Sequence, residues 1–215
     1  MKLNLNLKKT FLPLFIGATF ASTAIGQFTG IIEFKKTVGK IVVTYKYFIS
    51  GDNVRVEEIN ENGNVDGIQI MDLKKETVIA LSPERKMYMD VPNKRPATEL
   101  NVKVNKTGAT KTISGLKCTE IVVTSEEKDR KIVYWVTDGN YDFFIPMLKT
   151  LNRKENQAMF YLKIPGMEGR FPVLSQEYVL STGALVSELS TVSVNKGSVD
   201  AAKFKIPADY SKFER

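Results

Sequence analysis

The chain is 215 residues long, with 31 Lys and Arg, 24 Asp and Glu, one cysteine, no histidine and a formal net charge of +7. A lone cysteine forbids an internal disulfide, and the missing histidine removes the usual general base and the commonest zinc ligand. The ordinary Ser-His and Cys-His hydrolase arrangements are therefore excluded, and neither a cofactor nor a metal ion is expected.

Residues 1–26 carry the parts of a cleavable secretory signal peptide. Lys2, Lys8 and Lys9 supply the positive start, Phe11 to Ile16 an apolar stretch, and Ala24 and Gly26 the small residues of a peptidase site, which would leave Gln27 as the mature N-terminus. A membrane-spanning helix needs about 20 mostly apolar residues, and Pro13, Gly17 and the Ser22–Thr23 pair interrupt this one. No cysteine lies near the cleavage site, so no lipid is expected there, and the mature protein is expected to be soluble in the periplasm of the cell envelope. With the signal go three lysines and no acid, which lowers the formal charge from +7 to +4. That excess permits transient contact with an anionic membrane surface, but the basic residues are scattered along the strands, so no nucleic acid is expected as a partner.

The remainder, residues 27–215, is expected to form a single domain. From residue 28 to residue 137 short alternating or apolar runs rich in Val, Ile, Thr and aromatics predict strands. Residues 28–35 and 40–49 pair across Val38 and Gly39, and 53–59 follow a turn at Ser50, Gly51 and Asp52. In that third strand Val54 and Val56 share one face, while Arg55 and Glu57 point to a face expected to be wet. Asn60, Glu61, Asn62, Gly63 and Asn64 make the clearest hairpin, leading to strands at 67–73, 77–81 and 86–91. Connections this short force antiparallel neighbours. Residues 92–108 are polar and contain Pro92 and Pro96, which predicts a long loop or an irregular edge. Strands resume at 110–114, 117–125 and 130–137, the last two joined by a charged hairpin tip. Cys118, at the head of an apolar strand, is expected to be a small buried hydrophobe.

Past Asp138 the period changes. Phe143, Phe144, Met147, Leu148 and Leu151 recur at helical spacing, with Lys149, Thr150 and Asn152 off the stripe and Pro146 confined to the first turn. Residues 156–162 suit either a short helix or an extended piece. Strands return at 171–180 and 184–194, and Phe204 to Pro207 reads as a closing edge strand. The sum is a mainly β (α+β) chain of about eleven antiparallel strands, and open sheets of that size curl. The expectation is a half-barrel closed by a short helical lid, with Trp135, Phe143, Phe144, Met147, Met159 and Phe160 as candidates for the walls of a ligand cavity.

Several segments in this order carry a resemblance. They are Tyr47 to Arg55, the step from Leu81-Ser82-Pro83 to Lys86-Met87-Tyr88, Ser114 to Cys118, Val133 to Asp138, Gly169 to Pro172 and Phe204 to Tyr210. Together they resemble an exported bacterial family of unknown function that is itself similar to the lipoprotein carriers of the LolA and LolB type. The resemblance spans nearly all of the mature chain and implies a half-barrel with an apolar cavity, periplasmic residence and no established catalysis.

The favoured expectation is a periplasmic, non-catalytic binding protein for an apolar or amphipathic ligand such as an acyl chain, a lipid or a lipoprotein. The alternative is an envelope module that binds or senses a protein partner through an edge strand or its convex face. A third reading is a hydrolase using carboxylates such as Glu57, Glu177 or Glu188, which alternate with apolar neighbours and are expected to face solvent; it is disfavoured because no paired acid and base can be placed at a useful spacing.

Overall fold

A computed structural model describes residues 27–92, 96 and 99–214. The expected signal peptide at 1–26 lies outside the described residues. Twelve strands form one open sheet: β1 (Thr29–Val38), β2 (Ile41–Ser50), β3 (Asn53–Ile59), β4 (Val65–Asp72), β5 (Thr77–Ser82), β6 (Met87–Val91), β7 (Lys103–Ile113), β8 (Leu116–Ser125), β9 (Arg130–Asp138), β10 (Arg170–Val179), β11 (Leu185–Lys196) and β12 (Ser211–Lys212). Helices α1 (Phe144–Leu151) and α2 (Asn156–Tyr161) interrupt the strands between β9 and β10.

The sheet order is β12-β6-β5-β4-β3-β2-β1-β11-β10-β9-β8-β7. Two antiparallel meanders, β1 to β6 and β7 to β11, are thus joined where β1 pairs with β11. Turn chemistry explains the meanders. At the β3–β4 hairpin the Asn60 side-chain oxygen accepts from the N–H groups of Asn62 and Asn64, each at 3.0 Å, while Gly63 takes a φ of 80° that costs a glycine little. At the central seam β11 passes so close to Gly30 that a Cβ there would lie 2.3 Å from the Asn195 carbonyl oxygen.

The curved sheet wraps its concave side around the main core. Ile32, Ile49, Val54, Met71, Ile132 and Val173 are fully buried on that side, and Met147 and Phe160 of the helices press onto them. This is the expected half-barrel with a helical cover. Cys118 is buried in the same core, and burial pushes its thiol pKa up.

Of the long loop or irregular edge expected at 92–108, the part from Lys103 onward is an edge: it opens β7, irregular between Lys106 and Thr110 where it meets β8. Three expectations need correction. Thr150, placed off the apolar stripe of α1, is 2 % exposed. The closing strand is Ser211–Lys212, parallel to β6, whereas Ala201–Phe204 forms a 3-10 turn. The Asp200 carboxylate accepts from the Ala202 N–H at 2.9 Å and so caps that turn, which extended pairing would forgo.

The convex face of β3 is not wet. Arg55 and Glu57 are 8 % and 7 % exposed because the C-terminal segment lies across them. Arg55 Nε donates to Glu57 Oε1 at 2.8 Å and Arg55 Nη1 donates to the Lys203 carbonyl at 3.2 Å. Beside this pair Ile68, Ile70 and Leu81 form a second, smaller core with Tyr88, Ile206 and Tyr210.

Candidate ligand cavity

Alternation along the strands decides which side chains face the hollow. Phe34 pairs with Tyr45 and, one step on, Ile32 pairs with Tyr47, so all four project to the concave side. Tyr47 pairs in turn with Val56 and Val56 with Gln69. On the other half of the sheet Ser175 stands opposite Tyr134, and Lys36 of the central strand stands opposite Leu189. Over these strands lie Phe144, Leu148 and Leu151 of α1 and Ala158 and Tyr161 of α2.

Between sheet and helices a cavity of about 110 Å³ remains, with predominantly apolar walls. Phe34 stacks on Tyr45 at a ring separation of 5.2 Å and meets Tyr47 edge-on at 4.7 Å. Phe144 bridges to Tyr161 at 5.2 Å and to Phe171 at 4.9 Å. Such aromatic contacts hold the walls in place around the hollow. Burial raises the pKa of the Tyr45, Tyr47, Tyr134 and Tyr161 hydroxyls, so all four stay neutral across the physiological range.

Helix α2 is pinned by polar groups. Gln157, 7 % exposed, accepts from Ser175 Oγ at 2.9 Å and donates to Ser187 Oγ at 3.0 Å, while its backbone carbonyl accepts from the Tyr134 hydroxyl at 2.7 Å. One step further along β10, Glu177 accepts from Asn156 Nδ2 at 2.7 Å, from Arg130 Nε at 3.1 Å and from Ser187 Oγ at 3.1 Å. Each buried acceptor is thereby satisfied, as desolvation requires.

The mouth of the cavity is charged. Lys36 Nζ lies 3.3 Å from Glu155 Oε2, and Arg153 Nη1 lies 3.6 Å from Glu155 Oε1. Arg153 Nη2 also donates to Gln69 Oε1 at 2.7 Å. These residues belong to β1, to β4 and to the link between α1 and α2, so the mouth opens where lid meets sheet.

Of the six residues named from sequence, Phe144 stands in the cavity wall. Phe143, Met147 and Phe160 are buried in the core below and beside it, and Met159 packs on that core half-buried. Trp135 alternates with inward-facing Tyr134 and lies on the convex side, where Lys111 Nζ covers its ring at 3.9 Å. Phe34, Tyr45, Tyr47 and Tyr134, none of them among the six, supply most of the aromatic wall. Their signal was present in strand phase: each is two residues from a fully buried aliphatic or another wall aromatic.

The carboxylates weighed as an acid and base are also placed. Glu57 and Glu177, both 7 % exposed rather than facing solvent, sit on opposite faces of the sheet, and Glu188 is half-buried and accepts from Gln176 Nε2 at 2.8 Å. They do not meet.

An uncharacterized conserved protein from Thermus thermophilus has a similar structure, with a TM-score of 0.52 at 8% identity over 86% of this chain and 89% of its own. The MucA/MucB complex of Pseudomonas aeruginosa gives a TM-score of 0.49 at 10% identity, covering 85% of this chain and 57% of that one. For a LolA superfamily protein from Nitrosomonas europaea the values are 0.36, 10%, 85% and 91%. No curated protein matches the sequence. The chain belongs to the family described as a domain of unknown function, DUF4412, whose model matches residues 28–210.

Proposed function

We propose that this protein is an exported, non-catalytic carrier that holds the apolar part of an amphipathic ligand, such as the acyl chain of a lipid or lipoprotein, between its curved sheet and α1–α2. The observation that carries this reading is an apolar, aromatic-walled cavity at the concave centre of the half-barrel, open at a charged mouth. Burial alone supplies affinity there, at about 0.8 kcal/mol per methylene group. Separation of the buried carboxylates Glu57 and Glu177, each engaged by cations or donors of its own, supports binding over catalysis.

Size sets a condition. The cavity of about 110 Å³ is smaller than the ~150 Å³ that admits a benzene ring, so it takes the end of a chain as it stands. A longer chain displaces α1, which is held over this hollow chiefly by apolar side chains that the chain itself can replace.

Native mass spectrometry of protein secreted from its own signal tests both halves of the proposal. We expect a polypeptide beginning at Gln27 that carries co-purifying lipid masses. Bare protein, even after lipid addition, would count against the carrier reading, and an uncleaved N-terminus against the periplasmic assignment. Ala158→Leu extends a branched side chain into the cavity and should weaken acyl-chain binding roughly tenfold, since it removes the space of several methylene groups. Its thermal midpoint should stay near that of the parent.

A further inference from the structure

Among the residues lining the cavity, the charged ones are Lys36, Arg153 and Glu155, and all three meet at the mouth. One carboxylate therefore serves two cations: Lys36 Nζ at 3.3 Å through Oε2 and Arg153 Nη1 at 3.6 Å through Oε1. The cationic side chains are 25% and 35% exposed, whereas Glu155 is 45% exposed and sits on the link between the two lid helices. Charges held at the edge of an apolar hollow are screened less than fully solvated ones, so an anion placed between them gains more than it would on an open surface. Glu58 is the neighbouring carboxylate: with Arg153, Tyr45 and Gln69 it lines a hollow that adjoins the cavity. A second negative charge on the ligand would meet it.

We infer that the mouth selects a singly charged anionic headgroup, a carboxylate or phosphodiester, which takes the place of the Glu155 carboxylate between Lys36 and Arg153 while the chain enters the aromatic-walled cavity. The inference rests on the carrier reading and adds the headgroup to it. Glu155 occupies the position of that headgroup in the empty protein. Gln69 holds the Arg153 guanidinium in place through its bond at 2.7 Å, so the cation keeps its position when Glu155 leaves. A neutral headgroup would leave both cations with the protein's own carboxylate and gain nothing at the mouth.

Calorimetric titration of the purified protein at pH 8 with dodecanoate, dodecanol and dodecyltrimethylammonium tests this, because the three share one chain and differ in charge. Dodecanoate should bind at least tenfold more tightly than dodecanol, and the ammonium compound most weakly. The Lys36→Met, Arg153→Met double variant should bind the acid no more tightly than the alcohol, since Glu155 then stands at the mouth without either cation. Glu155→Gln should bind dodecanoate severalfold more tightly, since the competing carboxylate is gone. Equal affinities for acid and alcohol in the parent would overturn the headgroup inference and leave the carrier reading standing, as would selectivity that survives in the double variant. Binding of none of the three would overturn both.

Discussion

Tyr134 and Tyr161 meet edge to face beneath the lid, with ring centres 5.4 Å apart, yet their hydroxyls differ in kind. That of Tyr134 donates to the Gln157 carbonyl at 2.7 Å, whereas that of Tyr161 is buried with no partner among the described residues. A buried hydrogen bond is worth about 1 kcal/mol net, and an unsatisfied hydroxyl costs roughly 1–3 kcal/mol. Tyr134→Phe should therefore destabilise the protein by about 1 kcal/mol, and Tyr161→Phe should stabilise it by about 1 kcal/mol. Thermal unfolding reads both, and a destabilising Tyr161→Phe would show that the hydroxyl has a partner in solution. The same strand shows what sequence alone decides and what it leaves open. Trp135 is the larger ring and the obvious wall candidate, but one residue of strand phase sends it to the convex side and Tyr134 inward. Ile132 and Val136, buried on either side of Tyr134, carry that phase, and composition by itself does not.

The two lid helices are held by different physics. In α1 the helical spacing of Phe144, Met147, Leu148 and Leu151 was legible because apolar periodicity is a local signal, and Pro146 falls in the first turn where a missing N–H costs nothing. The end of α1 is equally local, since Asn152 takes a φ of 44° and its N–H donates to the Leu148 carbonyl at 3.0 Å. Helix α2 has no such period. Its side chain most committed to the sheet is Gln157, a polar residue whose partners Ser175 and Ser187 lie 18 and 30 residues away. Only the folded register brings them together. Gln157→Ala takes the acceptor from Ser175 and one of two buried partners from Ser187, which keeps Glu177, and should cost about 1–3 kcal/mol. Because the loss falls on α2, hydrogen exchange should accelerate first in residues 155–162, ahead of β9 and β10. Uniform acceleration across the chain would mean that Gln157 supports the whole fold and not the lid.

At the scale of the molecule, the meanders follow from turns of a few residues, so their antiparallel order was legible in the turn residues themselves. The joining of β1 to β11 was not, because more than 150 residues separate Gly30 from Lys196 and pairing across that distance leaves no local mark. The C-terminal segment is the other non-local feature. It leaves β11, crosses the convex face over Phe48 and the Arg55–Glu57 pair, and ends as β12 beside β6. Lys203 alone makes three of these contacts: its carbonyl accepts from Arg55, and its ammonium lies 4.7 Å from the Phe48 ring and 3.6 Å from Glu57 Oε1. Ile206 and Tyr210 then close the small core of Ile68, Ile70 and Leu81. The segment therefore lets a one-layer sheet carry apolar residues on both faces, one set for the cavity and one for the tail. Removing residues 199–215 would expose those three aliphatics and a buried ion pair, a loss of roughly 3 kcal/mol or more. For a chain of this size that lowers the thermal midpoint by about 10 °C. The exposed convex patch should also make the truncated protein self-associate in sedimentation experiments. The cavity lies on the other side of the sheet, so dodecanoate affinity below the new midpoint should hold within about a factor of two, a coupling under 0.5 kcal/mol. Loss of binding at temperatures where the truncated protein is folded would show that tail and lid are coupled through the sheet.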